Sequence, residues 1–165
     1  MEYLSVGKIM EPFALKGEVK IASDFKYSSE VFKVGNTIYL GEDKRTLKIS
    51  KSRFYKNRYY VLFEGYNDIN EIGSFLKKIV YFKREDLNTN GSYLKSDIVG
   101  FNVIEDGVTI GILDDVIDMN GREIYRVKSD NNYFMIPNNS EFIKGIDALN
   151  KRITVKLIEG MRWWE

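Results

Sequence analysis

The chain has 165 residues, 44% hydrophobic and 30% charged, enough for one domain or two small ones and too apolar for a disordered chain. It has no cysteine and no histidine, which excludes disulfides, thiolate metal sites, histidine general bases and Ser-His-Asp triads. The net charge of +1 conceals an asymmetry: residues 1–87 carry 16 Lys and Arg against 12 Asp and Glu, a net of +4, whereas residues 88–165 carry 9 against 12, a net of −3.

Eleven Tyr and ten Phe favour strands over helices. The opening MEYLSVGKIM lacks the apolar core of a signal peptide, and no stretch approaches the roughly 20 apolar residues that cross a bilayer, so a soluble cytoplasmic protein is expected. In chain order, Tyr3–Ile9, Gly17–Ile21, Thr37–Leu40, Leu47–Ser50, Tyr59–Glu64 and Ile79–Phe82 read as strands bounded by turn residues. One helix is expected after Tyr66: Asp68 and Glu71 form a D-x-x-E cap, and Ile69, Ile72, Phe75 and Leu76 share a helical face. About six strands and one short helix imply a small barrel.

Asn88-Thr89-Asn90-Gly91-Ser92 reads as a linker, giving domains 1–87 and 93–165 that face partners of different charge. The second half again predicts a small barrel. Phe101–Ile104 and Thr109–Leu113 flank the turn Glu105-Asp106-Gly107, and Asn120-Gly121 joins Asp115–Met119 to Ile124–Lys128. Tyr133–Ile136 and Ile153–Ile158 are further strands, with a helical piece near Glu141–Ile146. The fold class expected is therefore mainly β, as two small β-barrel domains.

Lys44–Tyr60, KRTLKISKSRFYKNRYY, holds seven basic residues and no acid, interleaved with Phe54, Tyr55, Tyr59 and Tyr60. Cations neutralise phosphates and exposed rings stack on unpaired bases, so Lys44, Arg45, Lys51, Arg53, Lys56 and Arg58 are candidate RNA contacts. The competing reading is a solvated hairpin whose rings pack inward, as the alternation of Tyr59, Val61 and Phe63 suggests for some of them. Asp114, Asp115 and Asp118 form the one tight acidic cluster, open to reading as a Mg²⁺ site of an RNA-processing enzyme or as solvated carboxylates. In a regular strand Asp114 and Asp118 share one face and Asp115 takes the other. Gly7 and Gly17 read as bulge or turn residues, because no P-loop string is present. Trp163-Trp164 reads as an exposed contact or as a terminal segment docked on the barrel.

The strings themselves add a resemblance. VGKIMEPFALKGEVKI (Val6–Ile21) resembles the opening VGKI-x-x-x-HG-x-KGEV-x-V of the RimM family. DIVGFNVI (Asp97–Ile104), GVTIGILDDVID (Gly107–Asp118), Tyr125–Val127, Met135–Pro137, EFIKGID (Glu141–Asp147) and ITVKLIEGM (Ile153–Met161) resemble its PRC-barrel domain. Phe13-Ala14 departs from the usual His-Gly, and Tyr93-Leu94 stands where an aromatic pair often precedes the D-L-I-G string. The resemblance implies a translation-factor-like six-stranded N-terminal barrel and a C-terminal PRC barrel. It further implies a non-enzymatic assembly factor for the small-subunit head, without cofactor or small-molecule substrate, that binds small-subunit ribosomal protein 19 and supports 16S rRNA folding and processing in the pre-30S particle. Tyr93 and Leu94 are its candidate ribosomal-protein contacts, Tyr93 alternatively packing between the barrels, and a monomer is expected.

Overall fold

The computed structural model describes residues 2–161; the Trp163-Trp164 pair lies outside the described residues. The chain divides into two compact units, Met1–Gly91 and Ser92–Glu165. Among the described residues no helix is long and apolar enough to cross a membrane.

The first unit is a closed six-stranded barrel in the order β1-β2-β5-β4-β3-β6, with β6 returning to β1. The strands are β1 (Tyr3–Phe13), β2 (Glu18–Ala22), β3 (Thr37–Leu40), β4 (Arg45–Tyr55), β5 (Arg58–Phe63) and β6 (Ile79–Lys83), all antiparallel to their neighbours. Alternation places Ile21, Ile38, Leu40, Ile49, Val61, Phe63 and Val80 inside, all essentially buried. Closure of so small a barrel requires the strands to bend, and β1 does so through register shifts at Ser5/Gly7 and Ile9/Glu11. Gly7 sits at the first of these, where a Cβ would come 2.9 Å from the Ala22 carbonyl oxygen. Gly17 takes a left-handed φ of 92° in the β1–β2 turn, so both glycines are the bulge and turn residues expected of them.

A four-residue helix, α1 (Ser28–Val31), has no counterpart among the expected elements; its length leaves no helical periodicity to read. The expected helix after Tyr66 is instead two 3-10 turns, Ile69–Glu71 and Gly73–Phe75. The capping interactions do form, since Asp68 Oδ1 accepts from the Asn70 N–H at 2.8 Å and Glu71 Oε1 from the Asn67 N–H at 3.3 Å. Gly73, with its poor helix propensity, begins the second turn, and the segment still delivers Ile72 and Phe75 to the core.

The second unit holds a six-stranded sheet in the order β10-β9-β8-β7-β12-β11. Its elements are α2 (Lys95–Ile98), β7 (Asn102–Glu105), β8 (Val108–Met119), β9 (Arg122–Ser129), β10 (Asn132–Pro137), β11 (Ile143–Asp147) and β12 (Arg152–Val155). β12 runs parallel to β7; the other pairs are antiparallel. Asp106-Gly107 and Asn120-Gly121 both have positive φ at two successive residues, the hairpin turn that such dipeptides favour. Ile98, Phe101, Val103, Leu113, Val127, Phe134, Ile136 and Ile153 form the core. The helical reading of Glu141–Ile146 is corrected. Asn139 Oδ1 caps the Glu141 and Phe142 N–H groups in a turn, after which Ile143 pairs with Val155 in β11. Gly145 and two β-branched isoleucines suit a strand better than a helix.

Candidate functional site

The basic segment forms most of the β4–β5 hairpin. Lys56 and Asn57 both have positive φ (47° and 61°), giving a two-residue turn whose twist matches the strands. Tyr55 then pairs with Arg58, Phe54 with Tyr59 and Arg53 with Tyr60. Consecutive residues take opposite faces, so the adjacent tyrosines part company. Tyr59 takes the core side, 4.7 Å from the Phe32 ring and sharing a 2.9 Å hydrogen bond with Ser28 Oγ. Tyr60 lies on the outer face and is nonetheless buried, because Phe13 meets it edge-on at 4.9 Å and the Arg53 guanidinium covers it at 4.4 Å.

An outer cluster results, with rings and cations alternating. Arg53 also lies 5.4 Å from the Phe13 ring, Lys20 is within 5.7 Å of both Phe13 and Tyr60, and Lys56 stands 5.4 Å over Tyr55. Lys20 is in turn paired with Glu11 at 3.3 Å. At the hairpin's end Phe54 and Tyr55 remain 59% and 52% exposed, so ring faces are open to a partner. Arg58, half-buried, borders a cleft of about 410 Å³ with Lys8, Asn57 and Ser23.

The six candidate RNA residues do not form one patch. Arg53, Lys56 and Arg58 gather at the hairpin, and Lys51 is exposed beside them on β4. Arg45 is committed elsewhere, donating to the Tyr66 hydroxyl at 2.6 Å and lying 5.1 Å from the Phe75 ring. Lys44 belongs to the β3–β4 turn, 4.1 Å over Tyr81. Phe13 and Lys20 were missed as site residues because they are distant in sequence and joined to the hairpin only by the β1-β2-β5-β4 order. The one signal for them in the sequence was Phe13 itself, standing at the family's His position.

In the second unit Tyr93 is half-buried and packs against the unit's own core. Leu94 precedes α2, and its N–H donates to Asp97 Oδ2 at 2.7 Å, which fixes the helix start. Lys95 from the same helix pairs with Asp115, lowering that carboxyl below its ordinary pKa first through the Lys95 hydrogen bond, with help from the Val116 N–H and the Arg126 charge. Arg126 also binds Asp114, donating through Nε at 2.8 Å and through Nη2, and it stacks 5.2 Å from Tyr133.

The expected division of the aspartates between faces is corrected. A bulge between Leu113 and Asp115 places both Asp114 and Asp115 opposite Arg126, since a bulge sets two residues against one. Asp118 is turned to the Gly121 N–H at 2.8 Å. Asp114 and Asp115 thus share Arg126 while Asp118 caps a turn, and among the described residues no group of three acidic side chains converges on a point where a metal ion could sit. The metal-dependent reading has no geometric support.

The profile described as the RimM N-terminal domain matches residues 4–87, and that of the RimM PRC barrel domain matches residues 95–161. The chain belongs to the RimM family. A protein of Finegoldia magna named ribosome maturation factor RimM is 37% identical over 163 residues, covering 98% of this chain and all of that protein. One of the same name from Lactobacillus johnsonii is 33% identical over 168 residues, covering 98% of this chain and 97% of its own length. The solution structure of the N-terminal domain of RimM from Thermus thermophilus covers 55% of this chain and 99% of its own, at 19% identity and a TM-score of 0.47. The RimM assignment joins the two units under one family, and all seven resemblance strings fall inside the matched spans.

Proposed function

We propose that this RimM-family chain is a non-catalytic maturation factor for the head of the small ribosomal subunit, acting in the cytoplasm as a monomer. In this reading the hairpin cluster of the basic unit contacts 16S rRNA in the pre-30S particle, and the acidic unit holds small-subunit ribosomal protein 19 through Tyr93 and Leu94. The RimM relatives named ribosome maturation factors support the general role. The single observation that carries the RNA contact is the hairpin cluster of Arg53, Lys56 and Arg58 with open rings at Phe54 and Tyr55. Residues 1–87 and 93–165 act as separate domains, and linking two modest contacts raises the local concentration of each for the other. The protein then holds one arrangement of RNA and protein until mature contacts replace it. The reading needs no cofactor and no turnover of a small molecule.

The test is charge reversal at the hairpin. Arg53→Glu/Lys56→Glu/Arg58→Glu should weaken binding to 16S rRNA head fragments by at least tenfold. It should also flatten the salt dependence by about 0.7–0.9 log units for each phosphate no longer neutralised. Wild-type affinity and salt slope in the folded variant would reduce the hairpin to a solvated face.

The protein contact has its own test. Tyr93→Ala should weaken binding of ribosomal protein 19 by roughly 2 kcal/mol, the effect of losing an aromatic hot spot. Because Tyr93 is half-buried against the core, about 1 kcal/mol of stability should go with it. Calorimetric titration below the melting range separates the two. Unchanged affinity in the folded fraction would make Tyr93 purely structural.

A further inference from the structure

The wall of the first barrel formed by β1, β6 and β3 carries a second cluster of rings and cations, at the opposite end of β4 from the Lys56-Asn57 turn. Tyr3 is opposite Lys83, Ser5 is opposite Tyr81, and Tyr81 is opposite Tyr39, so these side chains share the outer face. The inward positions of the same strands hold Ile38, Leu40, Val80 and Phe82, all buried. The core therefore does not call for the three tyrosines. Tyr3 and Tyr39 meet edge-on at 5.2 Å rather than stacking on each other, and all three tyrosines are half-buried on this face. Two cations hold the rings in place: Lys83 is 5.0 Å from the Tyr39 ring, and Lys44 is 4.1 Å from Tyr81 and 5.6 Å from Tyr3. A hydrogen bond with Tyr39 raises the Lys83 pKa above its ordinary value. Lys44 is held at the rings by the backbone: it closes the Gly41–Lys44 turn with a left-handed φ of 54°, and its N–H donates to the Gly41 carbonyl at 3.1 Å. Beside Tyr81 lies a cleft of about 510 Å³, lined by Ile79, Lys78, Gly41, Glu42 and Asp43.

We infer that the Tyr3–Tyr39–Tyr81 face, with Lys44 and Lys83, is a second RNA-binding platform that stacks unpaired bases, one of them seated in the cleft beside Tyr81. Rings supply sequence-tolerant stacking and the two ammonium groups meet the flanking phosphates. Glu42 and Asp43 are acceptors in the cleft, so the seated base is one with an exocyclic amino group, such as cytosine. The phosphates flanking the stacked bases meet Lys44 and Lys83, and Lys78 lines the cleft beside Glu42 and Asp43. The inference rests on the RNA-binding reading of residues 1–87 and adds a single-strand site to it. RNA is favoured over a protein partner because this face repeats, with different residues, the ring-and-cation composition of the hairpin cluster, within a unit of net charge +4.

The experiment uses the full chain and a fluorescein-labelled 12-nucleotide oligocytidylate, followed by anisotropy, with an RNA duplex of the same length as control. Tyr39→Leu/Tyr81→Leu should weaken oligocytidylate binding by roughly tenfold per base unstacked, while duplex binding and the salt slope stay unchanged. Lys44→Gln/Lys83→Gln should instead lower the salt slope by about 1.4 log units, from about 0.7 per single-strand phosphate. Wild-type oligocytidylate affinity in the folded tyrosine variant overturns the platform and leaves the hairpin reading standing if the hairpin triple variant still loses binding. Loss in the tyrosine variant with none in the hairpin variant does the reverse. If the tyrosine variant binds oligocytidylate normally but binds purified small-subunit ribosomal proteins more weakly, the face is a protein contact and the inference fails. Should the leucine pair not fold, photocrosslinking of a 5-iodocytidine oligomer to the wild-type chain decides: adducts on Tyr3, Tyr39 or Tyr81 support the platform, and adducts only elsewhere overturn it.

Discussion

Replacing Phe63 with alanine is expected to cost the N-terminal barrel about 3–5 kcal/mol, the range for removing a large aromatic from a packed core. Phe63 has no exposed surface and meets Phe75 edge-on at 6.2 Å, so the change removes both its burial and an aromatic pair. A unit of roughly 90 residues has about 5–13 kcal/mol of stability in total. The barrel should therefore melt well below its wild-type temperature or be partly unfolded at 37 °C. The second unit should keep its own transition, since its core of Phe134, Leu113 and Val127 lies within residues 92–165. Calorimetry on the full chain reads both transitions. A single transition shifted as a whole would show that the halves fold as one cooperative body, against the two-domain reading. On the proposed function, RNA affinity should fall with the first transition while binding of ribosomal protein 19 persists.

The largest effect in the second unit is expected at Gly111. A Cβ there would come 2.6 Å from Val127 Cγ1 and 2.7 Å from the Lys128 carbonyl oxygen. The valine methyl can rotate away, but the carbonyl belongs to the paired strand β9 and cannot move without disturbing the sheet. Gly111 also lies opposite Val103, beside the bulge that shifts the β7–β8 register, where the strands have little freedom to separate. Gly111→Ala should destabilise the unit by roughly 3 kcal/mol, the upper end for overpacking. Urea unfolding followed through the second transition measures it. A change within about 0.5 kcal/mol of wild type would mean that the strands part more easily than the contacts indicate.

Much was legible along the chain because the signals are local. β3 falls where β-branched and aromatic residues predicted it, and Asp106-Gly107 and Asn120-Gly121 turn as such dipeptides do. The failures were local signals overruled by partners. The D-x-x-E cap formed, yet a regular helix did not continue through Gly73. Glu141–Ile146 read as helical until Val155 offered Ile143 a strand partner.

By itself, the sequence determined the fold class and the presence of a basic aromatic hairpin, because periodicity, turn chemistry and composition act within a few residues. The family came from the resemblance of whole strings to those of RimM, not from these local signals. Only the tertiary structure decided what the side chains do. It joined Phe13 and Lys20 to Arg53 and Tyr60, turned Arg45 toward Tyr66, and brought Tyr3, Tyr39 and Tyr81 together from three strands. It also set Asp114 and Asp115 against Arg126 through one extra residue in β8. Such groupings depend on strand order and register between distant segments, which no local pattern specifies.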